Sequence, residues 1–238
     1  MAALWKEIQN NFLFVCLSLA IGVGLHLLSK LAERKLPPRR ISSARRLCII
    51  SICSAIAAVL HIFDFPLPFL APGFYKLDFS EVPVMLCGFY LGPSACVACE
   101  GLKILLKLLL KSTSTAFVGD FANFAVGCSL VLPAVIVYHT RKNRKTALLG
   151  LILGTLFLTV FGSAFNGIYL IPKFAELFGI PVETIIAMGN QICSNITSIP
   201  TFVFWAVVPL NLIKGITVSV LTLLLYKRVA RPLFEKGH

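Results

Sequence analysis

Lys76-Leu-Asp-Phe-Ser-Glu-Val-Pro-Val-Met-Leu-Cys-Gly-Phe-Tyr-Leu91 carries two carboxylates, Asp78 and Glu81, straight into an apolar run. The chain is otherwise poor in acid: only 10 of its 238 residues are Asp or Glu, while 58% are hydrophobic. Mean hydropathy is +0.88, outside the soluble globular range. Taking a charge out of water is costly, so acids at the mouth of a membrane segment point to function. They stand where a loop turns back into the bilayer, a suitable place to recognise a solute.

Working outward from this stretch, apolar segments recur at about 11–29, 47–63, 82–91, 94–110, 117–138, 147–170 and 201–226. Roughly 20 apolar residues cross about 30 Å of hydrocarbon as a helix. The runs are continuous rather than alternating, which excludes a transmembrane β-barrel. The expectation is an all-α polytopic membrane protein of seven segments, with 82–91 short for a full crossing. Segment 11–29 is preceded only by Lys6, offset by Glu7, and reads as a retained helix rather than a cleaved signal. The basic linker 33–46 contains Pro37-Pro38, which interrupts any helix there. The chain therefore divides into 1–43, an added helix with its linker, and 44–238, a six-helix domain. A short helix is expected near Pro181 in the long loop 171–200.

The net charge of +12 does not imply nucleic acid. The basic residues are concentrated in the linker (Arg34, Lys35, Arg39, Arg40, Arg45, Arg46), in 139–145 (Arg141, Lys142, Arg144, Lys145) and in the tail after Tyr226. That distribution encodes topology, placing these segments in the cytoplasm and loops 64–79, 111–116 and 171–200 on the outer face. No nucleic-acid motif is present, nor is a Walker motif, His-Glu-x-x-His or Gly-x-Ser-x-Gly. Enzymatic chemistry is thus not expected. Cys96-x-x-Cys99 lacks a second pair and a nearby His, so no metal is expected and the eight cysteines read as small apolar residues. His26, His61 and His139 read as unpaired with acids. There is no internal repeat, which disfavours an inverted-repeat transporter.

Polar residues on the expected outer half are candidates for a binding site: Asp64, Tyr75, Lys76, Asp78 and Phe79 in loop 64–79, Thr113, Ser114 and Thr115, then Asp120, Asn123, Asn166, Asn211 and Lys214. Amides donate and accept hydrogen bonds without carrying charge, which suits a flat heteroaromatic ligand, and aromatic side chains can cover its faces. The alternative is that the amides bind helix to helix. Lys214 lies deep in the last segment and needs either a ligand or an internal ion pair. Glu100, Lys103 and Lys107 share one helical face and read as an internal salt bridge, with Lys111 extending that face outward. Ser51 with Ala55, and Ser54 with Ala58, are small-xxx-small pairs that allow close approach of another helix.

Leu77-Asp-Phe-Ser-Glu-Val-Pro-Val84, Gly88-Phe-Tyr-Leu-Gly-Pro93, Ser112-Thr-Ser-Thr-Ala-Phe-Val-Gly-Asp-Phe-Ala-Asn-Phe124, Asn166 with Pro172, and Pro209-Leu-Asn-Leu-Ile-Lys-Gly215 together resemble the S components of energy-coupling factor (ECF) vitamin transporters, specifically the riboflavin-specific ones. The resemblance covers about 44–230 and leaves the first helix outside the six-helix core. It implies high-affinity riboflavin binding from outside in a multi-pass protein of the bacterial cell membrane. It further implies partnership with a membrane scaffold protein and two ABC ATPases, which hydrolyse the ATP, so that riboflavin is the transported ligand and no cofactor is needed. Asn166, Asn211 and Lys214 correspond to ring-edge contacts, joined by Asp78, Phe79, Thr115 and Asn123. Ser51, Ala55 and Ala58 correspond to the scaffold-facing helix surface. The family often has Glu at the place of Asp120 and Gly-Gly at the place of Ala116-Phe117. Other readings are an S component for a different vitamin or precursor, a stand-alone secondary transporter, or an intramembrane enzyme.

Overall fold

The structure is a computed structural model that describes Trp5 and residues 8–36, 41–113 and 115–226. Lys6, Glu7, the Pro37-Pro38 pair with Arg39 and Arg40, Ser114 and the basic tail after Tyr226 lie outside the described residues.

Each of the seven apolar segments forms a helix: α1 (Phe12–Arg34), α2 (Ser43–Ile62), α3 (Glu81–Leu91), α4 (Pro93–Leu110), α5 (Val118–Arg141), α6 (Arg144–Phe165), and a last span that begins as α9 (Ile199–Phe202) and ends as α10 (Val208–Leu225). α6 continues through a wide π turn, Asn166–Leu170, into α7 (Ile171–Phe178); α9 joins α10 through a second, Val203–Val207. The short helix expected near Pro181 is α8 (Val182–Asn190). Among the described residues, five helical stretches are long and apolar enough to span a membrane. α4 reaches the necessary length but carries Glu100, Lys103 and Lys107. α3 has 11 residues, about 16 Å at the α-helical rise, so it crosses only about half the hydrocarbon.

Starts and stops follow local chemistry. Ser42 and Asn143 accept backbone N–H groups at the starts of α2 and α6. Gly92, at φ 115°, turns α3 into α4, a conformation that L side chains rarely adopt. α5 and α6 form the tightest hairpin: Gly150 and Gly154, one turn apart, pack directly on the backbone carbonyls of Ala134 and Leu130. Small residues of this kind let spans meet where hydrophobic burial gives no advantage over lipid. Outward faces carry large apolar side chains, for example Ile152, Leu156, Phe157 and Val160 on α6.

The two ends of the bundle differ. At one end Phe89 stacks on Tyr138 with centroids 4.4 Å apart, Tyr138 and Tyr226 share a hydrogen bond of 2.6 Å, and His139 bonds the carbonyl of Gly88. This is the end rich in Lys and Arg. At the other end Phe74 and Tyr75 of loop 64–79 cluster with Phe174, Phe178 and Phe202. α1 lies along α4 and α5 from one end to the other: Phe14 meets Phe121 edge-on, Gly22 touches Phe124, Ser29 is buried, and Glu33 reaches Ser94. The opposite face of α1, with Leu13, Leu17, Leu27, Leu28 and Leu31, is exposed, as suits a helix bathed in lipid.

Candidate functional site

Loop 64–79 is a folded-in plug. Its ends pair as β1 (Phe65–Pro66) and β2 (Lys76–Leu77), antiparallel, with Lys76 at 3.1 Å from Asp64. Tyr75, Leu77 and Asp78 are all buried. Asp78 is only 2% exposed, and it accepts hydrogen bonds from the Ser80 backbone N–H (2.8 Å) and the Ser80 hydroxyl. This Asx-type turn sets the geometry from which α3 starts.

Beneath it lies a cluster of buried charges. Lys214 of α10 stands 3.3 Å from Asp78 and 2.9 Å from Glu81. Lys103 of α4 bonds Glu100 and the Ser80 hydroxyl (3.1 Å) and lies 3.5 Å from Glu81. Glu81, Glu100 and Lys103 are wholly inaccessible. His61 of α2 brings Nδ1 to 3.5 Å from Asp78, without an aligned hydrogen bond. The reading of His61 as unpaired with acids is therefore corrected: the acid comes from a loop that the sequence places 17 residues away and the fold returns. The lysine face of α4 continues outward, each ammonium meeting an acid from another element: Lys107 with Asp120 at 2.6 Å, and Lys111 with Asp64 at 3.9 Å. Of the salt bridge expected among Glu100, Lys103 and Lys107, the Glu100–Lys103 part is present, whereas Lys107 pairs with Asp120 of α5 instead. Charges this deep persist only when compensated.

Beside the ionic cluster stands an amide cluster built around Gly162 and Ser163 of α6. Asn166 donates to the Gly162 carbonyl (2.7 Å) and accepts from the Tyr75 hydroxyl (2.9 Å). Asn211 donates to the Ser163 hydroxyl at 3.3 Å, and a Cβ on Gly162 would sit 3.0 Å from its amide nitrogen. Both asparagines are 6% exposed. Lys214 follows Asn211 by three residues on α10, so one helical face presents amide and ammonium together. The π turn that holds Asn166 meets the π turn of the last span, with Gly167 against Val203. Such turns widen a helix and re-aim its side chains.

Asn166, Asn211 and Lys214, together with Asp78, are thus brought into one buried polar region facing the bundle interior. Phe79 is half-buried beside it, its ring 5.7 Å from that of Phe65. Thr115 instead accepts the Gly119 N–H and caps the start of α5. Asn123 lies on α5 with Oδ1 buried and without a partner among the described residues, and no bond joins it to the cluster. Ala116 and Phe117 both adopt positive φ, 47° and 67°, a region that glycine enters without strain. Asp120 forms its ion pair despite being one methylene shorter than Glu. On α2, Ser51 and Ala55 face outward, whereas Ala58 is buried, as is Ser54, which donates to the Cys99 carbonyl. The two small-residue pairs therefore occupy opposite faces.

Sequence reasoning left one member out of the site, Ser163. Tyr75 and Glu81, which flank Asp78 at three residues on either side, stand among the residues to which the sequence points. Ser163 carried no signal of its own.

The family profile described as "ECF transporter, substrate-specific component" matches residues 45–226. The riboflavin transporter RibU of Staphylococcus aureus is 37% identical over 186 residues, 78% of this chain and 90% of that protein. The riboflavin transporter FmnP of Bacillus subtilis is 29% identical, with 81% and 95% covered. A solved S component of a bacterial ECF transporter superposes with a TM-score of 0.63 at 35% identity, over 81% of this chain and 99% of that one. These relatives are transport proteins, not enzymes, and several spans make this chain a multi-pass protein of the cell membrane. By matched length, identity and fold, the chain belongs to the substrate-specific S components of ECF transporters.

Proposed function

We propose that the chain binds riboflavin and delivers it for uptake as the S component of an ATP-driven ECF transporter. The observation that carries this reading is the convergence of Asn166, Asn211 and Lys214 beneath loop 64–79, at the end opposite the basic residues. By the positive-inside rule that end faces outward. Three amide or ammonium groups on fixed helices suit the alternating donors and acceptors of an isoalloxazine edge, with Asp78, Phe79, Thr115 and Asn123 as further candidates. Asp78 and Glu81 hold the Lys214 ammonium in place before the ligand arrives, so little ordering remains to be done on binding. Burial of a tricyclic ring with its polar edge satisfied is compatible with nanomolar affinity, around 12 kcal/mol. The relatives named as riboflavin transporters support the same ligand.

Residues 44–238 act as the binding unit in this reading, which the match over 45–226 supports. Its partners are a membrane scaffold protein and two ABC ATPases that supply ATP hydrolysis. The exposed Ser51–Ala55 face of α2 is the part of the expected scaffold surface that is free to meet one, and Ala58 would act from behind it. The test is a riboflavin fluorescence titration of purified protein, with other vitamins as competitors. Lys214→Gln should weaken binding by about 1–3 kcal/mol, or roughly 5- to 150-fold. Failure of the wild-type protein to quench riboflavin would sink the proposal, and tighter binding of another vitamin would reassign the ligand.

A further inference from the structure

Where α1 ends and α2 and α4 begin, the three helices leave a cleft of about 540 Å³. One wall is a single face of α1, on which His26, Lys30 and Arg34 follow at four-residue intervals. The opposite wall is Arg46, Leu47 and Ile50 of α2, and the floor is Ser94, Ala95 and Ala98 of α4. Arg46 is tied to Glu33 at 3.5 Å and to Ser94 at 2.6 Å. Lys30 and Arg34 are exposed, and among the described residues no carboxylate pairs with either. Nδ1 of His26 is buried without a hydrogen-bond partner among the described residues. Three cations, of which only Arg46 is tied, thus stand round one acid, beside the apolar side chains of Leu47, Ile50, Ala95 and Ala98.

We infer that this cleft holds the headgroup of an anionic phospholipid. It opens at the basic end of the bundle, the level of the cytoplasmic headgroups by the positive-inside rule. Basic clefts between spans on that side attract anionic lipids, whose surface potential favours each nearby cation. The apolar walls at Leu47, Ile50, Ala95 and Ala98 suit the glycerol and first acyl carbons, which a soluble anion lacks. The matched region of the family begins at 45, so the α1 wall is outside it. The site is independent of the riboflavin reading. A lipid there bridges the added helix to the core.

The experiment is native mass spectrometry of the full chain released from nanodiscs containing equal phosphatidylglycerol and phosphatidylcholine. Phosphatidylglycerol should be retained over phosphatidylcholine by on the order of tenfold, given two free cations at headgroup level. The double variant Lys30→Gln/Arg34→Gln should lose that preference, and the charge-conserving Lys30→Arg/Arg34→Lys should keep it. Both residues are exposed, and a circular dichroism melt matching wild type confirms that the variants fold. Equal retention of the two lipids by the wild type, or an unchanged preference in the Gln variant, overturns the site. If millimolar inorganic phosphate strips the retained lipid from the wild type, the occupant is a soluble anion and the lipid assignment is overturned.

Discussion

Replacing Lys103 by Met tests whether the charges at the centre of the bundle hold it together. Lys103 is 0% exposed, and its ammonium serves Glu100, Ser80 and Glu81. Without it Glu81 keeps Lys214 at 2.9 Å, but Glu100 keeps nothing. Its second oxygen already lacks a partner among the described residues, and a Cβ on Gly127 would collide with the carboxylate. Glu100 therefore has no room in which to draw in water. Stranding a buried charge in this way costs about 3–5 kcal/mol. For a chain of this length that is a fall of roughly 6–20 °C in melting temperature. Lys103→Met/Glu100→Gln removes both charges and should recover more than half of the loss, because an amide costs far less to bury than a carboxylate. Thermal melts in detergent micelles, followed by circular dichroism, compare wild type, the single variant and the double. A single variant melting within about 2 °C of wild type would show the cluster to be well hydrated, since an exposed pair contributes no more than about 1 kcal/mol. A double variant no better than the single would show that packing, not charge, was lost.

Three further outcomes follow from particular contacts. A double-mutant cycle on Tyr75→Phe and Asn166→Ala should give a coupling of about 1 kcal/mol in the same melts, and strict additivity would mean that the loop is not tied to the π turn through this bond. Ala116→Gly should stabilise the chain by about 1 kcal/mol by relieving left-handed backbone, and a loss of stability would contradict the φ of 47°. Gly92→Ala should destabilise by about 1–3 kcal/mol, since φ 115° with ψ 178° is a region that only glycine enters readily and the new Cβ would stand 2.8 Å from Glu33. Protease cleavage in the linker 33–46 should rise in parallel, because Glu33 is the tie between α1 and the core at that end; cleavage at the wild-type rate would argue against it.

Much of this protein was legible before the fold. The seven spans follow from apolar runs bounded by Pro, Gly and charge, and the structure places each within a few residues of expectation. The lysine face of α4 follows from helical spacing alone. Lys214 was marked by its depth, although depth could not say whether ligand or carboxylate satisfied it; the structure shows Asp78 and Glu81 doing so. Asn123 shared its chemistry with Asn166 and Asn211 yet was not drawn into their cluster, because side-chain type does not reveal which way a helix is turned. The same limit applies to α2, where Ser51 with Ala55 and Ser54 with Ala58 look equivalent in sequence but face opposite sides.

The sequence by itself determined that the chain is a helical membrane protein, where its apolar segments begin and end, and where its basic residues gather. These properties arise from hydration, hydrogen bonding and helical period, which act over a few neighbouring residues. Only the tertiary structure decided that Tyr75 meets Asn166, that Lys214 meets Asp78 and Glu81, and that His61 stands beside Asp78. Those pairs join separate spans, and their registry depends on how side chains of different volume fit across the whole bundle.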